Sequence, residues 1–144
     1  MTNEPEAALL NQIYRNAEMG RDGLYYVLRK TDDPAFRRLV ETQLMEYQSI
    51  MDDAGDRLRN AGQTPQGSPP AAKLLARLTA SRKAAQNNTP SALADMLIQG
   101  SAMGVTKIAR QLSLYRSRCE EAAELAARLQ KTEENNIHQL KSYL

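Results

Sequence analysis

Residues 120–140 read EEAAELAARLQKTEENNIHQL. Ala122, Ala126, Leu129, Glu133, Asn136 and Leu140 recur at steps of three and four, one face of an amphipathic helix. Glu133 and Asn136 interrupt that face where a bundle expects apolar side chains. An unpartnered carboxylate is costly to bury, so these two positions call for a partner or a chemistry.

The same period extends through most of the chain. Leu10, Ile13, Ala17, Gly20, Leu24 and Val27 predict a first helix over about residues 6–30. Thr31-Asp32-Asp33-Pro34 breaks it. Asp33 suits an N-cap and Pro34 the first helical position, where its missing N–H needs no partner. The second helix, about 34–60, carries Val40, Leu44, Tyr47, Met51, Ala54 and Leu58, widened by Phe36, Leu39 and Ile50. Glu46 falls on the inner flank of that stripe. Thr89-Pro90 repeats the capping logic for a helix over about 90–115, with Leu93, Leu97, Gly100, Gly104, Ile108 and Leu112 near its seam. Its two glycines predict close helix–helix approach, at about 1 kcal/mol each against alanine. Ser117-Arg118-Cys119-Glu120 fits a capping box opening the last helix, about 118–143.

Residues 61–89 form the long connection. Ala61-Gly62-Gln63-Thr64-Pro65-Gln66-Gly67-Ser68-Pro69-Pro70 is loop-like, and a short basic helix is predicted over about 71–86. The short joins make helices one and two, and three and four, antiparallel neighbours. The long join can return along the full second helix, roughly 40 Å at 1.5 Å per residue. The expectation is a single all-α domain over residues 1–144, a four-helix up-down-down-up bundle with a short helix in the crossover.

Composition agrees. At 144 residues the chain can bury a real core. Trp is absent and Phe occurs once, leaving Leu, Ala, Met and Tyr to fill it. The single Cys119 excludes an internal disulfide and any multi-cysteine zinc site. At the start of a helix its thiol lies where the dipole favours the thiolate, though an ordinary exposed cysteine is the simpler expectation. No Gly-rich phosphate loop or nucleophile motif is present. No apolar run approaches the roughly 20 residues of a membrane span. No secretory leader is visible at the start, so the cytoplasm is the expected compartment. The net charge of +2 hides a basic middle: residues 57–119 hold 10 basic residues and one acidic. Lys73, Arg77, Arg82 and Lys83 on the crossover form a candidate basic patch for nucleic acid or acidic lipid, without recognition-helix motif or aromatic interleaving.

Glu133-Glu134-Asn135-Asn136-Ile137-His138-Gln139-Leu140 resembles the bacterioferritin and rubrerythrin pattern Glu-Glu-x-His-Ile-x-x-Leu of the ferritin-like superfamily, with Asn136 where that family has histidine. Glu46-x-x-Ser49 is similar to its second Glu-x-x-His, with Ser49 replacing the imidazole. Glu18 stands near the family's first-helix glutamate, and Gly100, Ser101 and Ala102 occupy the neighbourhood of the third-helix one. The resemblance implies a ferritin-like bundle whose intact site uses four carboxylates and two imidazoles. Here at most Glu18, Glu46 and Glu133 could hold a divalent ion, with Ser49 and Asn136 as vestigial ligand positions. His138 lies about 200° around the helix from Asn136 and faces away. If the glutamates have no metal, Tyr25, Tyr47, Ser49, Asn136 and Lys107 are candidate partners. The resulting expectation is a non-enzymatic interaction or scaffold protein without a cofactor, partnered by a second copy in a homodimer or by another protein. Two alternatives stay open: a divergent iron or manganese carboxylate oxidoreductase or metal store, and an anion-binding module using the basic crossover.

Overall fold

A computed structural model describes residues 4–68 and 88–144, and among these the chain is helical with no strand. Helix α1 spans Glu4–Leu28, α2 Pro34–Asn60, α3 Pro90–Tyr115 and α4 Glu120–Leu140, followed by a 3₁₀ turn at Lys141–Tyr143. The predicted crossover helix and the patch Lys73, Arg77, Arg82 and Lys83 lie outside the described residues.

The helix starts follow from their caps. Asp33 Oδ1 accepts the Phe36 N–H at 2.8 Å, and Thr89 Oγ1 accepts the Ala92 N–H at 3.2 Å. Both satisfy N–H groups that the helix itself leaves unpaired. Arg37 ties the turn before α2 by donating to Leu28 O at 2.5 Å and Thr31 O at 3.0 Å. At the far end of α2, Gly62 takes φ +77°, and Gln63 N–H returns to Leu58 O at 2.9 Å. A left-handed residue after the last turn is a common helix stop that glycine adopts without strain.

The start of α4 differs from expectation. Cys119, not Ser117, occupies the N-cap, and no side chain caps the first turn. Arg118 and Cys119 donate their N–H groups back to Tyr115 O, at 2.9 and 3.0 Å, so the chain turns for two residues more. That turn places Cys119 in the apolar core, only 5% exposed. It is neither an exposed cysteine nor an activated one: burial, and then the Glu6 carboxylate, push its thiol up, against the pull of Arg118.

Side-chain pairs fix the directions. Tyr14 packs at Gly55 and Tyr47 at Gly20, so α1 and α2 are antiparallel. Asn16 reaches Gly104, and Leu97 packs at Gly23, so α1 and α3 are antiparallel. Gln43 meets Gln139, Ser49 meets Arg128, and Arg57 meets Glu121 O, so α2 and α4 are antiparallel. The bundle is therefore up-down-down-up, as the long join requires. The predicted stripes form its core. Leu10, Ile13, Val40, Ile50, Leu58, Ile108 and Leu129 are fully covered, and Phe36 meets Tyr143 edge-on at 4.9 Å between ring centres.

Candidate functional site

The interior is not uniformly apolar. Halfway along, each helix contributes polar or glycine positions to one place. Glu133 and Asn136 come from one face of α4, three residues apart. Gln43 and Tyr47 come from α2, Asn16 and Gly20 from α1, Ser101 and Gly104 from α3. Glu133 is 2% exposed and Asn136 1%.

Two glycines seat the large groups. A Cβ at Gly20 would stand 2.7 Å from the Tyr47 ring. A Cβ at Gly104 would overlap the Glu133 carboxyl. Gly104 thus makes room for a side chain, where the sequence suggested room for a helix. Asn16 joins the two halves: its Nδ2 donates to Gly104 O at 3.0 Å, and its Oδ1 accepts from Gln12 at 2.8 Å. The Tyr47 hydroxyl faces Ser101 Oγ at 3.4 Å.

This network is only partly satisfied. Glu133 Oε1 and both amide atoms of Asn136 are buried without a hydrogen-bond partner among the described residues. Burial pushes the Glu133 carboxyl up to about 8, although the neighbouring Tyr47 hydroxyl and Asn16 amide pull it down. It is mainly a neutral acid at pH 7. Burial, and then the Glu133 charge, push the Tyr47 hydroxyl up in turn. A neutral acid offers one O–H donor and can still accept.

Above these groups lies a cavity of about 200 Å³. Leu24, Met96 and Leu97 form its apolar wall, Glu133 and Tyr47 its polar side, and Met19, Met103 and Lys107 reach it as well. A second cavity of about 400 Å³ shares Asn16, Met19 and Lys107 with the first and adds Arg15 and Arg110.

The other candidate ligands are elsewhere. Glu18 is buried, but its Oε1 accepts the Ser68 N–H at 3.0 Å, and its carboxyl lies against Gly67. Glu46 is half-buried, and partial burial raises its pKa. It shares the flank of Leu39, while the inward line of α2 passes through Gln43 and Tyr47, the latter about 100° further round. Ser49 is exposed and accepts from Arg128 at 3.0 Å. Among the described residues no three of His, Cys, Asp and Glu come together as a metal-holding group. Glu18, Glu46 and Glu133 therefore do not converge, and this donor set does not fit a carboxylate-bridged metal pair. Glu133, Asn136, Tyr47 and Lys107 are brought to one neighbourhood. Ser101, at the position the resemblance assigns to a third-helix glutamate, belongs to it too, as do Asn16 and Gln43, which the sequence did not single out. Gly20 and Gly104 were the available signal, since a seam glycine opposite a polar seam residue can mark a seat for it.

No family model and no curated protein matches the chain. Among solved structures it is similar to the crystal structure of a DUF305 fragment from Deinococcus radiodurans, with a TM-score of 0.73. Identity is 13%, over 98% of this chain and 95% of that one, so the likeness is one of fold.

Proposed function

We propose that this chain is a non-enzymatic interaction protein, built on a ferritin-like bundle in which the metal position has become a neutral, partly satisfied polar cluster. One observation carries the reading: among the described residues Glu133 is the one carboxyl in its chamber, and the α3 position facing it is Gly104. A hard divalent ion needs several charged oxygens, and a lone carboxyl supplies at most one such charge. The fold likeness to the DUF305 fragment supports the architecture of this reading. The partner is a second copy of the chain or another protein. Met45 on α2 and Leu114 on α3, 73% and 64% exposed, offer apolar contact points.

The test is metal loading. The full chain, incubated with Fe(II) or Mn(II) and desalted, is expected to retain far less than one ion per chain and to melt at the same temperature. Near-stoichiometric metal, lost in Glu46→Ala and Glu133→Ala, would overturn the reading in favour of a metal-carboxylate protein.

A further inference from the structure

We infer that the chamber over Glu133 and the basic cavity beside it form one binding site for a small amphiphilic acid. The ligand has a ring-sized apolar body, a hydroxyl at its inner end and an anionic head at its outer end. This goes beyond the interaction reading and does not depend on it.

Size comes first. Drug-sized ligands occupy pockets of roughly 300–1,000 Å³, whereas an apolar cavity of about 150 Å³ holds benzene. The chamber, at about 200 Å³, suits one ring with short substituents. Its wall of Leu24, Met96 and Leu97 is apolar. Met19 and Met103, 43% and 61% exposed, are flexible apolar groups that also line it.

The inner end is set by Glu133. Glu133 lines the chamber, and its Oε1 is buried at that wall without a hydrogen-bond partner among the described residues, so a small turn of the carboxyl presents it to a ligand. A buried polar atom left unpaired costs free energy that a ligand hydroxyl would recover. A site built this way favours a hydroxyl-bearing ring over a bare one, because the bare ring leaves the atom orphaned.

The outer end is set by charge. Lys107 borders both cavities, and Arg15 and Arg110 line the second. None of the three forms an ion pair among the described residues. Among the described residues Glu133 is the one acidic residue lining either cavity, and it sits at the inner end. Glu18 lies behind Ser68, which lines the second cavity, with its Oε1 engaged by the Ser68 N–H. The mouth is thus positive, while the chamber is apolar with a neutral acid inside.

The experiment titrates the full chain, by calorimetry and amide chemical shifts at pH 7, with 3-(4-hydroxyphenyl)propionate. Saturable binding is expected at Kd on the order of 1 mM or tighter for a ligand of this size. 3-Phenylpropionate, lacking the inner hydroxyl, and 3-(4-hydroxyphenyl)propanol, lacking the charge, should each bind several-fold more weakly. Inorganic phosphate should not shift the chamber amides. A Cβ at Gly100 meets nothing within 4 Å and that residue borders the chamber, so Gly100→Leu adds bulk at the chamber edge from a position with room for its Cβ. It should abolish binding of all three organic probes in a protein that still melts cooperatively. Glu133→Leu should erase the preference for the hydroxyl. Lys107→Gln should weaken the acid about two- to fivefold and leave the alcohol unchanged. The inference is overturned by no saturable binding to the folded wild-type chain, by binding that Gly100→Leu leaves intact, or by equal binding of acid and alcohol.

Discussion

Glu18 and Glu133 are both buried, each against a glycine, in two corners of the same bundle. Their exposures are 5% and 2%, so burial does not distinguish them. Their partners do. The Glu18 carboxyl meets the main chain at Ser68, where it fastens the segment after α2 onto α1. Glu133 has one oxygen without a hydrogen-bond partner among the described residues, and the residue borders an open cavity. The first carboxyl is used as an anchor for backbone N–H. The second is kept as an unfilled hydrogen-bonding position. Partner supply, not depth, separates a structural acid from a candidate site.

The sharpest way to break this contrast is pH. The Glu133 carboxyl rises from its ordinary value of 4.5 to about 8 in the folded chain. Between those two values the folded state binds the proton that the unfolded state has lost. Stability must therefore fall as pH rises through that window. At 1.36 kcal/mol per unit the loss has an upper bound of about 5 kcal/mol. Urea titrations at pH 5.0, 6.5 and 8.0 should show wild type losing stability progressively, with a much flatter profile for Glu133→Gln. Equal slopes in the two proteins would mean that Glu133 is solvated or paired, and the contrast with Glu18 would vanish.

Substitution at the two corners gives the next largest effect. Glu18→Ala removes the acceptor of a buried N–H and should cost about 1–3 kcal/mol. Glu133→Leu replaces an unsatisfied acid by an apolar group of similar volume, and should be neutral or stabilising by about 1 kcal/mol at pH 7. Chemical denaturation of both variants measures the difference directly. If Glu133→Leu costs as much as Glu18→Ala, the chamber acid is an anchor too.

How much of this was legible in the sequence depends on the kind of question. The stripe Leu10-Ile13-Ala17-Leu24-Val27 and the caps Asp33-Pro34 and Thr89-Pro90 are local, and the helices follow them within a few residues. Glu133 and Asn136 were also readable, because the period of one helix sets which residues share a face. Glu46 was not. Its flank position turns on how far α2 is rotated about its axis, and that is set by Gly20 accommodating the Tyr47 ring from another helix. Asn16 and Gln43 were missed for the same reason. Their burial depends on what the neighbouring helix presents, which no single-helix period contains. The start of α4 shows a third kind of limit. Ser117-x-x-Glu120 satisfies the capping-box pattern, yet burial of Cys119 in the core moves the helix start two residues on.

The smallest effect separates glycines that seat a side chain from one that lines empty space. Gly20→Ala gains helix propensity of about 0.5–1 kcal/mol, but its Cβ meets the buried Tyr47 ring at 2.7 Å. Aromatic rings move only by shifting their backbone or neighbours, so overpacking of about 1–3 kcal/mol should outweigh that gain. Gly100→Ala meets nothing within 4 Å and keeps the full propensity gain. It should raise stability by about 0.5–1 kcal/mol. Both glycines lie inside helices, so a sign change between the two variants reports what each glycine faces. Thermal melts side by side decide it. A stabilising Gly20→Ala would show that Tyr47 can leave its seat, and the polar cluster built around it would then lack the rigid side that holds Glu133 at the chamber wall.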